Sequence, residues 1–166
     1  MPRRTRTLSK TFLQLSYRIA MIAAVLLSPA LALAQQTADG DAVVESAWAR
    51  AAAQGRAGAA YFSIRNTGTE TLRLIDVRTD LASIVTLHKT EVDANGVARM
   101  SAVPTTTIEP DATLTLEPGG IHAMMMDLDK PLVEGESFPL RLKLYDMDEL
   151  TVDVPILGIG ARGPEG

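Results

Sequence analysis

The sequence predicts an all-β domain, an antiparallel β-sandwich or Greek-key barrel, and three observations carry that expectation. Apolar and β-branched runs are short and recur about every eight to twelve positions, each bounded by turn residues. Within runs the alternation has the period of two that a half-buried strand requires: Leu140, Leu142 and Leu144 alternate with Arg141 and Lys143. No segment sustains the 3.6-residue period of an amphipathic helix.

The elements follow in chain order. Gln35 to Asp41 reads as a polar lead-in, and Val43 to Ala49 as the first strand, with Trp48 as a core or rim anchor. In Ala59 to Asn66, Phe62 and Ile64 alternate with Ser63 and Arg65, and Asn66-Thr67-Gly68 turns the chain into Thr71 to Arg78. Strands are then expected at Ile84 to Thr90, Val97 to Val103, Thr105 to Ile108, Ala112 to Leu116, Ile121 to Leu128, Phe138 to Tyr145 and Leu150 to Ile156. Between them stand Asn95-Gly96, Glu109-Pro110-Asp111, Pro118-Gly119-Gly120 and Glu134-Gly135, all strong turn formers. Gly158 to Gly166 reads as a flexible C-terminal tail.

The first 34 residues are expected to be a cleavable export signal. Arg3, Arg4, Arg6, Lys10 and Arg18 form a basic region free of acids, Ile19 to Leu33 is almost wholly apolar, and Ala32-Leu33-Ala34 suits cleavage before Gln35. An apolar run of about 15 residues broken by Pro29 falls short of the roughly 20 that span a bilayer. The expected organisation is thus 1–34 signal peptide, 35–157 β domain and 158–166 tail, with the mature protein in the periplasm and not inserted in the membrane. Removing the signal takes five of the sixteen basic residues and none of the twenty acidic ones, leaving eleven against twenty, a net charge of −9. Nucleic acid and anionic lipid are poor partners for such a surface. With no cysteine in the chain, neither lipoprotein processing nor a thiolate ligand is available.

One stretch, His88 to Met126, holds both histidines, His88 and His122, and four of the seven methionines, Met100, Met124, Met125 and Met126. Uncharged, polarisable thioether sulfur is a soft donor that selects Cu(I), whereas Zn(II) asks for thiolate, more imidazole or carboxylate, and Ca(II) or Mg(II) for oxygen. His122 and Met124 are two apart in a strand and leave the same face, with Met126, while Ala123 and Met125 point to the core. The competing reading is plain packing, since methionine is common core filler and a buried histidine is often only hydrogen-bonded.

The turn at Asn95-Gly96 provides a geometric test. An ideal two-residue hairpin sets His88 opposite Val103 and sends Met100 to the other face. Joint binding by His88 and Met100 therefore predicts an irregular hairpin, with a three- or five-residue loop that places an even-numbered residue opposite His88, or else Met100 held outside a regular strand.

The order His88, Lys89, ten residues, Met100, twenty-one residues, His122, Ala123, Met124 resembles the H(M)X10MX21HXM signature of the periplasmic copper chaperones called PCu(A)C. The likeness extends through AWARAA at 47–52, GAAYFSIRNTG at 58–68, LHKTEVDANGVARM at 87–100 and LEPGGIHAMMMDL at 116–128, nearly all of the mature domain. It implies a cupredoxin-like β-barrel holding one Cu(I) through His88, Met100, His122 and Met124, and delivery of copper to the centre of cytochrome c oxidase subunit II or to a Sco-type chaperone. Lys89 stands where the signature offers an optional methionine, and the tail ILGIGARGPEG lacks the His and Met of a second copper site found in some relatives. The resemblance implies a carrier and not an enzyme. The alternatives are a metal-free β-sandwich interaction module with structural histidines, a hydrolase, for which no nucleophile motif is apparent, and a copper electron-transfer protein, whose blue-copper site would need a cysteine thiolate.

Overall fold

The computed structural model describes residues 37–164, so the expected signal peptide, 1–34, lies outside the described residues. These residues form eleven strands and no helix: β1 Thr37–Asp39, β2 Ala42–Arg50, β3 Gly58–Asn66, β4 Leu72–Arg78, β5 Ala82–Val92, β6 Ala98–Ala102, β7 Thr106–Ile108, β8 Thr113–Leu116, β9 Ile121–Leu128, β10 Ser137–Leu144 and β11 Glu149–Leu157. They join in the order β6-β5-β9-β3-β2-β11-β10-β4-β7, with β1 added to β2 and β8 to β3. Every pairing is antiparallel except one. β11 runs parallel to β2 through Ile156 opposite Ala49 and Leu157 opposite Arg50, which joins the two halves of the fold.

Alternation decides which residues fill the space between the layers. Phe138, Leu140, Leu142 and Leu144 on β10 and Leu150, Val152, Val154 and Ile156 on β11 are buried, while the residues between them reach solvent or half-buried positions. They pack in one cluster with Val44 of β2, Phe62 and Ile64 of β3, Leu72, Leu74 and Val77 of β4, Leu87 of β5 and Ala123 and Met125 of β9. Full burial of each large aliphatic side chain contributes about 1.5–3 kcal/mol, enough in sum to make this single core the main stabilising term. Gly58 matters to its packing. A Cβ there would stand 3.0 Å from Leu132 Cδ1 and 3.2 Å from Met125 Cε, so the missing side chain lets Met125 reach the core.

The expected strands agree with the structure to within two residues, one reading is corrected by it and two are refined. The segment Gln35 to Asp41 is more than a lead-in: Thr37–Asp39 pairs with Ala42–Val44, turned by Gly40 at φ +55°. Its polar residues hid it because its pairing relies on backbone hydrogen bonds and little burial. The strand expected at Ile84 to Thr90 runs from Ala82 to Val92, since ladders to β9 and β6 hold it on both sides. Trp48 is buried, as expected of an anchor, and its place is on the outer face. A bulge after Glu45, with Ser46 at φ +55°, shifts the phase of β2 so that Ala47 and Ala49 turn inward and Trp48 turns out beside Tyr61. Beyond β11, Ala161 N–H donates to Gly158 O (2.9 Å), and Arg50 Nε donates to Ala161 O (2.7 Å).

Candidate metal centre

β5 and β9 pair because each carries an inward apolar row, Val85 and Leu87 on one and Ala123 and Met125 on the other, and burying both rows fixes the register. The same register lines up the alternate residues on the outer face. His88 lies directly opposite His122, Thr86 opposite Met124 and Ile84 opposite Met126. The two imidazole rings stand 6.1 Å apart between centroids and are inclined by 55°. Both histidines and Met124 are half-buried.

The β5–β6 hairpin adds the fourth residue. Its register sets His88 opposite Ala102, Thr90 opposite Met100 and Val92 opposite Ala98. Three residues, 94–96, form the loop: Asp93 N–H donates to Val97 O (3.0 Å), Gly96 N–H donates to Asp93 O (2.9 Å), and Gly96 takes φ +78°. The Asp93 carboxylate accepts from the N–H groups of Asn95 (2.9 Å) and Val97 (3.0 Å) and fixes the turn. Of the two arrangements expected for a shared site, this is the irregular hairpin, with an even-numbered residue opposite His88 and Met100 inside a regular strand. Met100 consequently sits diagonally across from His88 on the same face, about 7–8 Å away between backbone positions and within reach of a long side chain. Met100 is 60% exposed.

The hydrogen bonds of the two imidazoles differ. His122 Nδ1–H donates to Gly120 O (3.3 Å), which leaves Nε2 of the neutral ring with its lone pair. His88 Nδ1 is buried without a hydrogen-bond partner, and so is Thr86 Oγ1 beside it on the strand. An unpaired buried polar group costs about 1–3 kcal/mol, so this face carries polar capacity that the protein itself does not use. Among the described residues, no three side chains of His, Cys, Asp or Glu are grouped to hold a metal ion. Two imidazoles and two thioethers share the face instead, the donor set of a soft ion.

The remaining residues singled out in the sequence sort by face. Met126 lies on the donor face, 36% exposed, whereas Met125 is fully buried in the core. Met147 packs against the core near Gly40, on the loop between β10 and β11, and takes no place on this face. Lys89 points to the opposite side and pairs with Glu91 at 2.7 Å; that hydrogen bond and charge hold the Glu91 carboxyl below its usual range. Having lysine where the signature allows methionine thus leaves the donors undisturbed. Sequence reasoning missed an aromatic patch adjoining the site. Ala59 of β3 lies opposite Met124, and two residues on, Tyr61 packs its ring 4.4 Å from Trp48, with the Arg50 guanidinium 5.6 and 5.9 Å from the two rings. Burial raises the Tyr61 phenol, partly opposed by Arg50.

Comparison with known proteins bears on the family and the fold. The family model described as "Putative lipoprotein LpqE-like" matches residues 42–156. The putative lipoprotein Lxx21020 of Leifsonia xyli subsp. xyli is 35% identical over 114 residues, 68% of this chain and 68% of that protein. Among solved structures, the Cu(I) form of DR1885 from Deinococcus radiodurans is 32% identical with a TM-score of 0.54, covering 77% of this chain and 83% of that one. The copper-bound PCuAC domain from PmoF2 is 23% identical with a TM-score of 0.64, covering 75% and 98%, and bears on the fold alone.

Proposed function

The chain belongs to the LpqE-like family, and from that premise we propose that it is an exported copper chaperone holding one Cu(I) through His88, Met100, His122 and Met124. The observation that carries the reading is the cross-strand pair His88 and His122, with Met124 and Met100 on the same face of the three adjacent strands β9, β5 and β6. Its support from relatives is the Cu(I)-bound protein of Deinococcus radiodurans, similar over most of both chains. The ion is cargo. Neutral donors leave it with its single positive charge, and the net −9 of the mature chain favours the approach of cations. His122 would bind through Nε2, its ring oriented by the Gly120 carbonyl, the kind of outer support that metal-binding histidines ordinarily receive.

Release follows from the same chemistry. Thioethers are weak, uncharged donors, and an acceptor with thiolates can displace them one at a time, so the ion is never set free in water. The acceptor is the copper centre of cytochrome c oxidase or a Sco-type partner, and the site of action is the periplasm. Relatives are named as lipoproteins, but this chain has no cysteine to carry a lipid, and the reading is of a protein released after signal cleavage. X-ray absorption of the copper-loaded domain tests the donor set: two nitrogen and two sulfur scatterers are expected. A shell without sulfur, or without nitrogen, would overturn the assignment.

A further inference from the structure

The face that carries the four donors has no charge on it. On β5 from Ile84 to Val92, along β6, and on β9 from His122 to Met126, every outward residue is Ile, Val, Thr, Ala, Met or His. The first charge on β9, Asp127, comes at the rim, where its φ of +54° breaks the alternation. This is unusual for a chain with twenty acidic residues. It is also not a consequence of burial, since Ile84 is 54% exposed, Val92 66% and Met100 60%. The hairpin does contain charges, but all of them lie off this face and neutralise one another. Lys89 pairs with Glu91 (2.7 Å), and Arg99 pairs with Asp93 (3.7 Å). From Lys89 to Ser101 both sides of this hairpin meet solvent, yet only one is polar, and an exposed apolar patch of that kind marks a contact surface.

We propose that the outer face of β5, β6 and β9, rimmed by Ile84, Val92 and Met126, is the docking surface for the copper-accepting protein. Its occupant presents an uncharged, apolar collar around its own thiolate copper site. This rests on the functional reading given above, and geometry then leaves little choice. Handover by ligand exchange needs the two metal sites within bonding distance, and the inner side of the donor strands is filled by Leu87, Ala123 and Met125. The acceptor must therefore cover the outer face, with exposed Met100 the first donor it meets. An uncharged face lets the two surfaces shed water without burying an unpaired charge. The acidic remainder of the surface, by contrast, gives no such fit to a neutral collar.

The test compares copper-loaded wild type with Ile84→Glu, Val92→Glu and Ser83→Glu, the last placing the same charge on the opposite face of β5. Two acceptors are used: glutathione, which needs no docking surface, and a soluble domain with a two-cysteine copper site. Ile84→Glu and Val92→Glu are expected to hold Cu(I) with unchanged affinity and pass it to glutathione at the wild-type rate. Transfer to the protein acceptor should slow about tenfold or more, the cost of burying one unpaired charge. Ser83→Glu should behave as wild type. Undiminished transfer to the protein by both face variants overturns docking on this face while leaving copper binding intact. Equal slowing toward glutathione overturns it as well, because the effect then lies in release of the ion. So does a wild-type dimer that Ile84→Glu dissociates, which would make a second copy the occupant. Failure of wild type to retain Cu(I) strikes the functional reading itself, and docking of a copper acceptor falls with it.

Discussion

His88 and His122 face each other directly across the β5–β9 ladder, with ring centroids 6.1 Å apart, although thirty-three residues of chain separate them. The pairing is held from behind by Leu87, Ala123 and Met125, so the site's geometry is a by-product of how the core packs.

Donors and core residues should therefore separate cleanly on mutation. His122→Ala and Met124→Ala should each weaken Cu(I) retention by about a hundredfold or more, since even outer-shell partners of a metal site are worth about 10–100-fold. Met125→Ala should cost about 2–5 kcal/mol of folding stability while binding persists. Met147→Ala and Lys89→Ala should leave affinity close to wild type. Chelator competition and thermal unfolding on the same variants check both halves.

The hairpin loop makes a second prediction. Gly96 at φ +78° has open space around it, so Gly96→Val would suffer from backbone strain and not from a clash. The cost should be about 1–2 kcal/mol. Because the loop sets the register that brings Met100 to His88's face, Cu(I) affinity should fall although no donor is altered. Calorimetric unfolding combined with a Cu(I) titration would detect the coupled loss.

Acid should release the ion through the imidazoles alone. Thioether sulfur has no proton to gain, whereas a ring nitrogen binds metal only when deprotonated, so lowering the pH favours the protonated apo form and weakens binding. With two histidine ligands the loss should approach about two protons per copper at the acid limit, and His88→Met should remove one of them. Affinity measured against pH for the two proteins gives the slopes.

Much of this was legible in the sequence, and the gaps have physical causes. Alternation located the strands of the core, because a buried row needs a leucine or valine at every second position, as in Leu140 to Leu144. It did not reveal β1, whose Thr-Ala-Asp sequence buries little, nor the parallel join of β11 to β2, which depends on contacts across the whole chain. The shared face of His122 and Met124 could be read from their spacing. That Met100 joins His88 could be posed only as a condition on the turn, since the length of the loop at Asn95-Gly96 decides it. The facing of His88 and His122, and the burial of Trp48 against Tyr61 outside the core, were beyond reach. The first depends on a register between distant strands and the second on a bulge at Ser46.

The most direct test of the central claim is a metal titration of the mature protein, residues 35–166, under reducing conditions in competition with a Cu(I)-specific chelator, repeated with Zn(II). One Cu(I) per chain, retained against the chelator, with Zn(II) held far more weakly, is the expected result. No retained copper, or zinc bound as tightly as copper, would contradict the account.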